Sequence, residues 1–529
     1  MTMDGAAWSQ TSTTPAESAS VASATPPGRL ILVLPFDNHS GNGVLDWIGD
    51  SFPDTLNQRL GSSGFLTITR EDREFALDHL GLPAGFRPTR ATTLRIAQTL
   101  DADYVVVGSY TVSGGKLQVQ AQVVRVNQLR MSPPIADASE LARLYDVENA
   151  TAWKVAREID SHFAVAEGTF LAASAGVPLS AFENYIRGVE ATSQQERLKR
   201  LAAAVTESPT YIQAALSLGK AQFAARDYDH AAMTLAKVPL ADRRALEARF
   251  YLGLARFNSG KYADAEQAFA FVATRLPLPE VVNNQAVAIS RQGRDAAALF
   301  QRAVAADPND ADYHYNLAVS LLQRHDTTGA KREIDAALRL RKVDAEAQQL
   351  RDQIVRGGAI VAASAGANDP GFAPLERVRR TYSEASFRQA AFQLDQMRQM
   401  RMATMKPAER AVEYTEQGRT YLAQGLLPEA EQEFQQALVA DANSAPARLG
   451  IAQVREQSGD DTQARADAEK ALRLRPNADV HVLLGRLDLK ENRLPEAANE
   501  VKQALQLEPK NSSAIGLREA LTARGQTIP

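Results

Sequence analysis

The chain has 529 residues, and its 59 basic and 63 acidic side chains give a formal net charge of −4. Because the two signs are closely interspersed, the sequence predicts no face for a polyanion, and nucleic acid is a poor partner. The absence of cysteine excludes disulfides, thiolate nucleophiles, zinc–thiolate sites and iron–sulfur clusters. No apolar run reaches the roughly 18 residues that a transmembrane segment needs.

The first 28 residues are rich in Ser, Thr, Ala and Pro, and residues 1–28 are predicted to be a disordered tail. They lack the basic-then-apolar pattern of a secretory signal, so the chain as written is expected in the cytoplasm. They are also similar to the polar stretch that often follows a signal peptide, and a true start further upstream would place the protein in the periplasm. The sequence leaves the compartment open between these two.

Residues 29–128 predict a small mixed α/β domain. The order is strand, helix, strand, helix, strand, strand, and glycines at 114 and 115 make a hairpin turn between the last two strands. We therefore expect a sheet with an antiparallel edge pair. The predicted strands are 29–36, 64–69, 104–112 and 116–124, and the predicted helices run from Asp46 and over 92–100.

The loop at residues 38–43 follows a strand and precedes a helix, the position at which phosphates bind in many α/β folds. It has neither the lysine of a P-loop nor the three-glycine spacing of a dinucleotide site. A structural turn is the favoured interpretation. A weak ligand site at the strand ends is the alternative.

Residues 32–41, the helix around Asp50, and residues 102–109 with the hairpin that follows resemble the TolB-like amino-terminal domain of bacterial proteins. That domain is related to envelope proteins of the FlgO type and is often joined to arrays of helical repeats. The resemblance implies a non-enzymatic, envelope-associated or regulatory role. It supplies no catalytic residues.

Residues 129–180 predict a helical connector, with helices at 138–145 and 147–159. Beyond it a small residue returns about every 33 positions, and a second small residue follows it 10 to 12 positions later. This regular self-similarity is the signature of stacked helical hairpins, in which no unit can bury its apolar face alone. The small residues that open the copies are Gly219, Gly253, Ala286, Ala318, Gly418, Ala452 and Gly485.

The pattern of Gly253, Ala265 and Phe269 resembles the tetratricopeptide (TPR) repeat. The predicted fold is therefore mostly α, a TPR α-solenoid of helical hairpins preceded by a small mixed α/β domain. Whether the arrays form one continuous solenoid stays open. The predicted segments are array 1 at 181–350, an irregular helical linker at 351–410 with a flexible loop near 357–372 and helix again over 374–405, and array 2 at 411–522.

In a TPR stack the first helix of each hairpin lines the concave face. Residues about three positions before the small opener, and one and four positions after it, then face a bound peptide. Aromatic and apolar side chains at these positions suit peptide capture, and the alternative is that they pack against neighbouring first helices. The candidate groove residues are Leu216, Lys220, Phe223, Phe250, Leu254, Phe257, Tyr315, Asn316, Val319, Thr415, Arg419 and Leu422.

No catalytic, cofactor-binding or metal-binding residues are predicted, because the seven histidines show no metal-ligand spacing and no serine-hydrolase elbow occurs. We expect a non-enzymatic scaffold in a bacterial envelope or regulatory assembly, whose TPR groove binds a protein or peptide partner. The alternative is a sensor, in which the α/β domain binds a small molecule and the solenoid relays its presence. The oligomeric state is left open.

Overall fold

The computed structural model describes residues 30–82, 90–172, 176–242, 244–356, 374–381, 397–398 and 400–527. Within these ranges a small mixed sheet with flanking helices is followed by helical hairpins, as the sequence predicts. The tail at 1–28 and the loop near 357–372 lie outside the described residues.

The α/β domain has a mixed sheet in the strand order β3-β1-β4-β5-β6, with β2 beside β4 and β7 beside β5. Strand β1 is parallel to β3 and β4, whereas β4 and β5 form an antiparallel hairpin. The strands are β1 Leu30–Val33, β2 Asp37–Asn38, β3 Leu66–Thr67, β4 Tyr104–Ser113, β5 Lys116–Arg125, β6 Arg130–Met131 and β7 Ile135–Glu140. The helices are α1 Trp47–Ser62, α2 Arg70–His79, α3 Arg90–Thr99 and α4 Leu144–Ile159.

Both faces of this sheet are covered by helices. Alternate residues of β5, such as Val119 and Ala121, are buried with the apolar sides of α1 and α4. On the other face, Leu32 and Val105 are buried with residues of α2 and α3. The domain is therefore a three-layer α/β arrangement.

Two local expectations were wrong, one in the α/β domain and one in the connector. Helix α2 was not predicted, because its charged sequence buries few apolar side chains. The sequence feature that marks its start is the Thr69 cap, whose hydroxyl accepts a hydrogen bond from the backbone N–H of Asp72. Residues 135–140 form strand β7 where a helix over 138–145 was expected, and α4 is one continuous helix. The edge of β5 pairs with this segment, and that pairing overrides its local helix preference.

Helical hairpins make up most of the rest of the described chain after the short helix α5, Glu167–Ala172. In the first array the helices are α6 Leu179–Glu190, α7 Gln194–Glu207, α8 Ile212–Ala224, α9 Tyr228–Ala236, α10 Ala245–Asn258, α11 Tyr262–Ala273, α12 Pro279–Ser290, α13 Ala297–Ala306, α14 Ala311–Gln323, α15 Thr327–Leu340 and α16 Ala345–Val355. In the second array they are α17 Pro407–Ala423, α18 Leu427–Ala440, α19 Ala445–Gln457, α20 Asp461–Leu474, α21 Ala478–Lys490, α22 Leu494–Leu507 and α23 Ser512–Ala523.

The small openers allow the two helices of a hairpin to approach closely. A Cβ on Gly253 would lie 2.6 Å from the ring of Phe269, and a Cβ on Gly418 would lie 2.7 Å from the ring of Phe434. Both rings are fully buried. The periodic glycines are therefore required by packing against a bulky side chain on the second helix.

Both arrays contact the amino-terminal region. Phe182 and Leu201 of the first array share one apolar core with Trp47 of α1. The second array folds back on the connector, where the backbone N–H of Ala166 donates to the Glu431 carboxylate, 265 positions away, at 3.2 Å. No helix in the described ranges is both long enough and apolar enough to cross a bilayer.

The linker between the arrays differs from the sequence expectation. Residues 374–381 form neither helix nor strand, although a helix over 374–405 was predicted; the described residues 397–398 and 400–403 are helical as expected. Residues 374–379, here called the docked segment, lie against the first helices of the first array, where side chains of α12 and α14 bind their backbone. These contacts replace the hydrogen bonds that a helix would make within itself.

Candidate functional site

Three buried asparagines hold the backbone of the docked segment. The amide of Asn316 accepts from the Arg377 N–H at 2.7 Å and donates to the Arg377 carbonyl at 2.8 Å. Asn284 pairs in the same way with Arg379, at 2.8 and 2.7 Å. Asn283 donates to the Arg377 carbonyl at 3.0 Å and accepts from Asn316 at 2.7 Å. We call these three side chains the asparagine clamp.

The clamp recognises an extended backbone. In an extended chain the N–H and C=O groups of residues i and i+2 point to the same side, as along the edge of a β-strand. Arg377 and Arg379 have this spacing, and each is bound by one amide that both donates and accepts. All three asparagines are 0% exposed, so their amides depend on these bonds for satisfaction.

The Arg377 side chain has a dedicated acidic and aromatic site. Its guanidinium lies 3.9 Å from the centre of the Tyr315 ring. It makes two parallel hydrogen bonds to Asp344, at 2.7 and 2.8 Å, and further bonds to Asp312 at 2.8 Å and Glu346 at 2.9 Å. A planar fork that stacks on a ring and pairs with both carboxylate oxygens is an arginine-specific arrangement.

These ion pairs change the protonation of the acidic groups. Hydrogen bonding to Arg377 lowers the pKa of Asp344 to about 2. Burial of Asp312 favours its neutral form, but hydrogen bonds from Arg341 and Arg377 outweigh burial and lower its pKa. Both carboxylates are thus held ionised for the arginine at neutral pH.

A second arginine lies two positions further along. The Arg379 guanidinium forms an ion pair with Asp310 and lies 3.4 Å from an Asp312 oxygen. It also lies 5.3 Å from the centre of the Tyr313 ring. The start of α14 therefore contributes carboxylates to both arginines.

The remaining side chains of the docked segment contact the array in different ways. The Glu376 carboxylate accepts from the Ser290 hydroxyl and lies 3.3 Å from the Arg291 guanidinium. Val378 packs against the apolar clusters that fill the array beneath it. Glu376 is buried, and Leu375 is exposed. The groove, defined as Ser290, Asp312, Tyr315, Asp344 and the asparagine clamp, thus contacts backbone, charge and apolar surface together.

Two of the predicted groove residues contact the docked segment, and several others belong to the apolar clusters beneath it. Tyr315 and Asn316 contact it directly. Val319, Leu254 and Phe250 belong to the clusters against which Val378 packs, and Phe257 packs on both of those clusters.

The predicted residues on α8, which are Leu216, Lys220 and Phe223, lie further toward the amino-terminal end of the array. Leu216 and Phe250 are buried between helices, the arrangement that the alternative interpretation describes. Phe223 packs against the same clusters. Lys220 forms an ion pair with Glu247 at 2.6 Å.

Predicted groove residues of the second array contact their own repeat. Thr415 is buried, and its hydroxyl donates to the carbonyl of Ala411 at 2.6 Å. Arg419 pairs with Glu416 at 2.7 Å. Leu422 packs against the cluster that contains Phe434.

Sequence reasoning did not select Asn283, Asn284, Ser290, Asp312 or Asp344. The same register applied to the copy opened by Ala286 would have selected two of them, since Asn283 precedes that opener by three positions and Ser290 follows it by four. Asp344 caps α16 and Asp312 lies in the first turn of α14, so their sequence context indicates stabilisation of a helix start rather than a binding role.

Two polar features of the α/β domain, the loop at 38–43 and the buried Glu148, are internally bonded. The side chain of Asn38 donates to the Asn42 carbonyl at 2.9 Å and to Asp46 at 2.8 Å, which makes the loop at 38–43 a structural turn. Glu148 is fully buried beneath α1, where the hydroxyls of Ser51 and Thr55 donate to it. Burial raises the pKa of Glu148 to about 8. The described residues contain no group of three or more His, Asp or Glu arranged to hold a metal ion.

Two segments match family models described as tetratricopeptide repeat, at residues 289–354 and 415–479. The first covers α13, α14, α15 and nearly all of α16 and includes Asp312, Asn316 and Asp344; the second covers α18, α19 and α20 with the second half of α17. The hairpins within these two segments are therefore TPR repeats, and the chain combines them with a small α/β domain. No curated protein matches the chain.

Solved structures resemble parts of the chain at low identity. YrrB, a TPR protein with an unusual peptide-binding site, is 16% identical over 38% of this chain and 99% of its own, with a TM-score of 0.30. The first TPR domain of Spaghetti, bound to an HSP90 peptide, is 21% identical over 22% of this chain and 94% of its own, with a TM-score of 0.21. The LpoB carboxyl-terminal domain from Escherichia coli is 21% identical over 22% of this chain and 87% of its own, with a TM-score of 0.20.

Proposed function

We propose that the protein is a non-enzymatic interaction scaffold whose first TPR array binds an extended segment of a protein or peptide partner in the groove. The observation that carries this proposal is the asparagine clamp, which binds both backbone groups of alternate residues in an extended chain. TPR arrays use extended concave surfaces of this kind to bind other proteins.

The clamp follows the periodicity of the array. Asn283 and Asn316 are 33 positions apart, one repeat, and bond to each other. Asn316 of α14 binds Arg377 and Asn284 of α12 binds Arg379, so successive first helices place amides against alternate residues of the segment. Backbone recognition of this type supplies affinity, and side-chain pockets supply specificity.

The test uses the full chain with its own segment weakened by Arg377→Ala and Arg379→Ala, here called the released variant. A fluorescein-labelled peptide with the sequence of residues 372–383 is titrated and followed by fluorescence anisotropy. We expect saturable binding to the released variant. Adding Asn284→Ala and Asn316→Ala should weaken that binding at least tenfold, because four backbone hydrogen bonds are lost.

A matched control replaces Asn309 and Asn443 by alanine in the same released variant, since both are exposed turn residues outside the groove. The control should bind the peptide as the released variant does. Equal affinity of the clamp and control variants, with circular dichroism showing both folded, would contradict the proposal.

The resemblance of the α/β domain to TolB-like domains supports a role in a bacterial envelope or regulatory assembly. Its sheet and the first array share one core, so the domain and the groove would act as one unit toward a partner. A small-molecule sensor is the alternative. Thermal-shift screening of the full chain distinguishes the two, since a saturable shift with a metabolite that is insensitive to the clamp substitutions would favour the sensor.

A further inference from the structure

The array binds the side chains of the docked segment as well as its backbone. Its two arginines, two positions apart, are both placed against carboxylates and tyrosine rings of the array. The acid row is defined as Asp310, Asp312, Asp344 and Glu346. A segment that served only as a spacer between the arrays would not need matched sites for Glu376, Arg377 and Arg379.

The acid row is concentrated where helices begin. Asp310 caps α14 by accepting from the backbone of Asp312 and Tyr313, and Asp344 caps α16 by accepting from Ala347. Each cap uses part of a carboxylate, and the remaining lone pairs bind the arginines. Arg341 belongs to the array itself and lies 2.7 Å from Asp312 and 3.6 Å from Asp344. Several carboxylates still converge on the two arginines of the docked segment, so the row favours a segment with two positive charges.

Arginine rather than lysine fits the first position. The two nitrogens of the Arg377 fork reach both oxygens of Asp344 while the plane stacks on Tyr315 at 3.9 Å. An ammonium group is a single point charge, and it can neither stack in this way nor bond in parallel. The preceding Glu376 pairs with Arg291, so an acidic residue before the first arginine is part of the pattern.

We propose that the groove is selective for an extended Glu-Arg-x-Arg segment of a protein partner, and that residues 376–379 occupy it in cis as a competitor that the partner must displace. This inference rests on the proposed function. The docked segment belongs to the same chain as the groove, and a tethered ligand acts at a high effective concentration, on the order of millimolar for short tethers. A partner's apparent affinity is the affinity for an empty groove multiplied by the fraction of grooves that are empty.

Two comparisons test this inference with the labelled peptide of residues 372–383. First, the released variant should bind at least about tenfold more tightly than the wild-type chain, since its own segment has lost both arginines. A chain with Arg380→Ala is the matched control, because Arg380 is an exposed neighbouring arginine, and it should bind like wild type.

Second, peptides in which both arginines are replaced by lysine or by alanine should bind the released variant at least about tenfold more weakly than the native peptide. This comparison changes only the peptide and does not depend on how a protein variant folds. A peptide in which the arginine that corresponds to Arg380 is changed to alanine is its control.

The outcomes separate the two proposals. If the released variant and the wild-type chain bind the peptide equally well, the proposed binding groove is supported and cis competition is refuted. If lysine and alanine peptides bind as tightly as the native one, the groove stands and arginine selectivity is refuted. If the clamp substitutions have no effect, the proposed function itself fails. A concentration-dependent wild-type dimer that Arg377→Ala dissolves, measured by light scattering, would show that a second copy is the occupant and would overturn cis docking.

Discussion

Replacing Asn316 by alanine removes the amide that binds both backbone groups of Arg377. The side chain makes two hydrogen bonds to the docked segment and one to Asn283, all between 2.7 and 2.8 Å. The Arg377 carbonyl keeps its bond from Asn283, whereas the Arg377 N–H loses its partner. At a net 0.5–1.5 kcal/mol for each hydrogen bond, docking should weaken by about 2 kcal/mol.

Amide hydrogen exchange read by mass spectrometry measures this change directly. About 2 kcal/mol corresponds to roughly 30-fold faster exchange in peptides that cover residues 374–381, since every 1.4 kcal/mol is tenfold. Protection in the helices of the α/β domain should stay the same, because they lie outside the groove. Asn309→Ala is the control, since Asn309 is exposed in a turn, and it should leave the docked segment protected.

Two results would refute this reasoning. Unchanged exchange in residues 374–381 would mean that the clamp does not hold the segment in solution. Loss of protection throughout α12 to α16 would mean that Asn316 holds the helices together and that docking is secondary.

Three further predictions follow from individual contacts. Burial raises the pKa of Glu148 to about 8, so Glu148 ionises first in the unfolded state, and the free energy of unfolding should fall as pH rises from about 4.5 to 8, by at most about 1.4 kcal/mol per pH unit. Glu148→Gln should remove this part of the pH dependence, measured by urea unfolding at pH 5 and 8. The same pH dependence in both proteins would contradict the prediction. Gly450→Ala places a methyl group against the buried Phe434 ring and should lower the free energy of unfolding by about 1–3 kcal/mol. A Cβ at Gly516 meets nothing within 4 Å, so Gly516→Ala should not destabilise the protein. The midpoints of urea unfolding compare the two variants. The pKa of Asp344 is lowered to about 2 when the arginine is bound, so the affinity for the arginine peptide should be full at pH 5 and weaken as pH falls below about 4 toward 2. Fluorescence anisotropy at pH 5 and 3 measures this difference in affinity. An Asp344→Asn chain that kept the full difference would assign the pH dependence to another group.

The repeats could be predicted from the sequence because their signal is local and periodic. Gly253 and Gly418 recur in register because each faces a phenylalanine on the second helix of its own hairpin. The same register placed Tyr315 and Asn316 in the groove, and both contact the docked segment. It would also have identified Asn283, had it been applied to every copy.

The docked segment could not be predicted in this way. An extended chain makes no hydrogen bonds with itself, and residues 374–379 were expected to be helical. Their conformation depends on asparagines 61 to 95 positions earlier in the chain. Strand β7 was missed for the same reason, because its backbone is satisfied by the edge of β5.

By itself the sequence determined that this protein is a TPR solenoid behind a small α/β domain, because hairpin packing repeats with the period of the chain and needs small residues at regular intervals. Only the tertiary structure decided what lies in the groove, and that the second array returns to the connector at Glu431. Those contacts join residues far apart in the chain, and their donors and acceptors become partners only once the helices have placed them side by side.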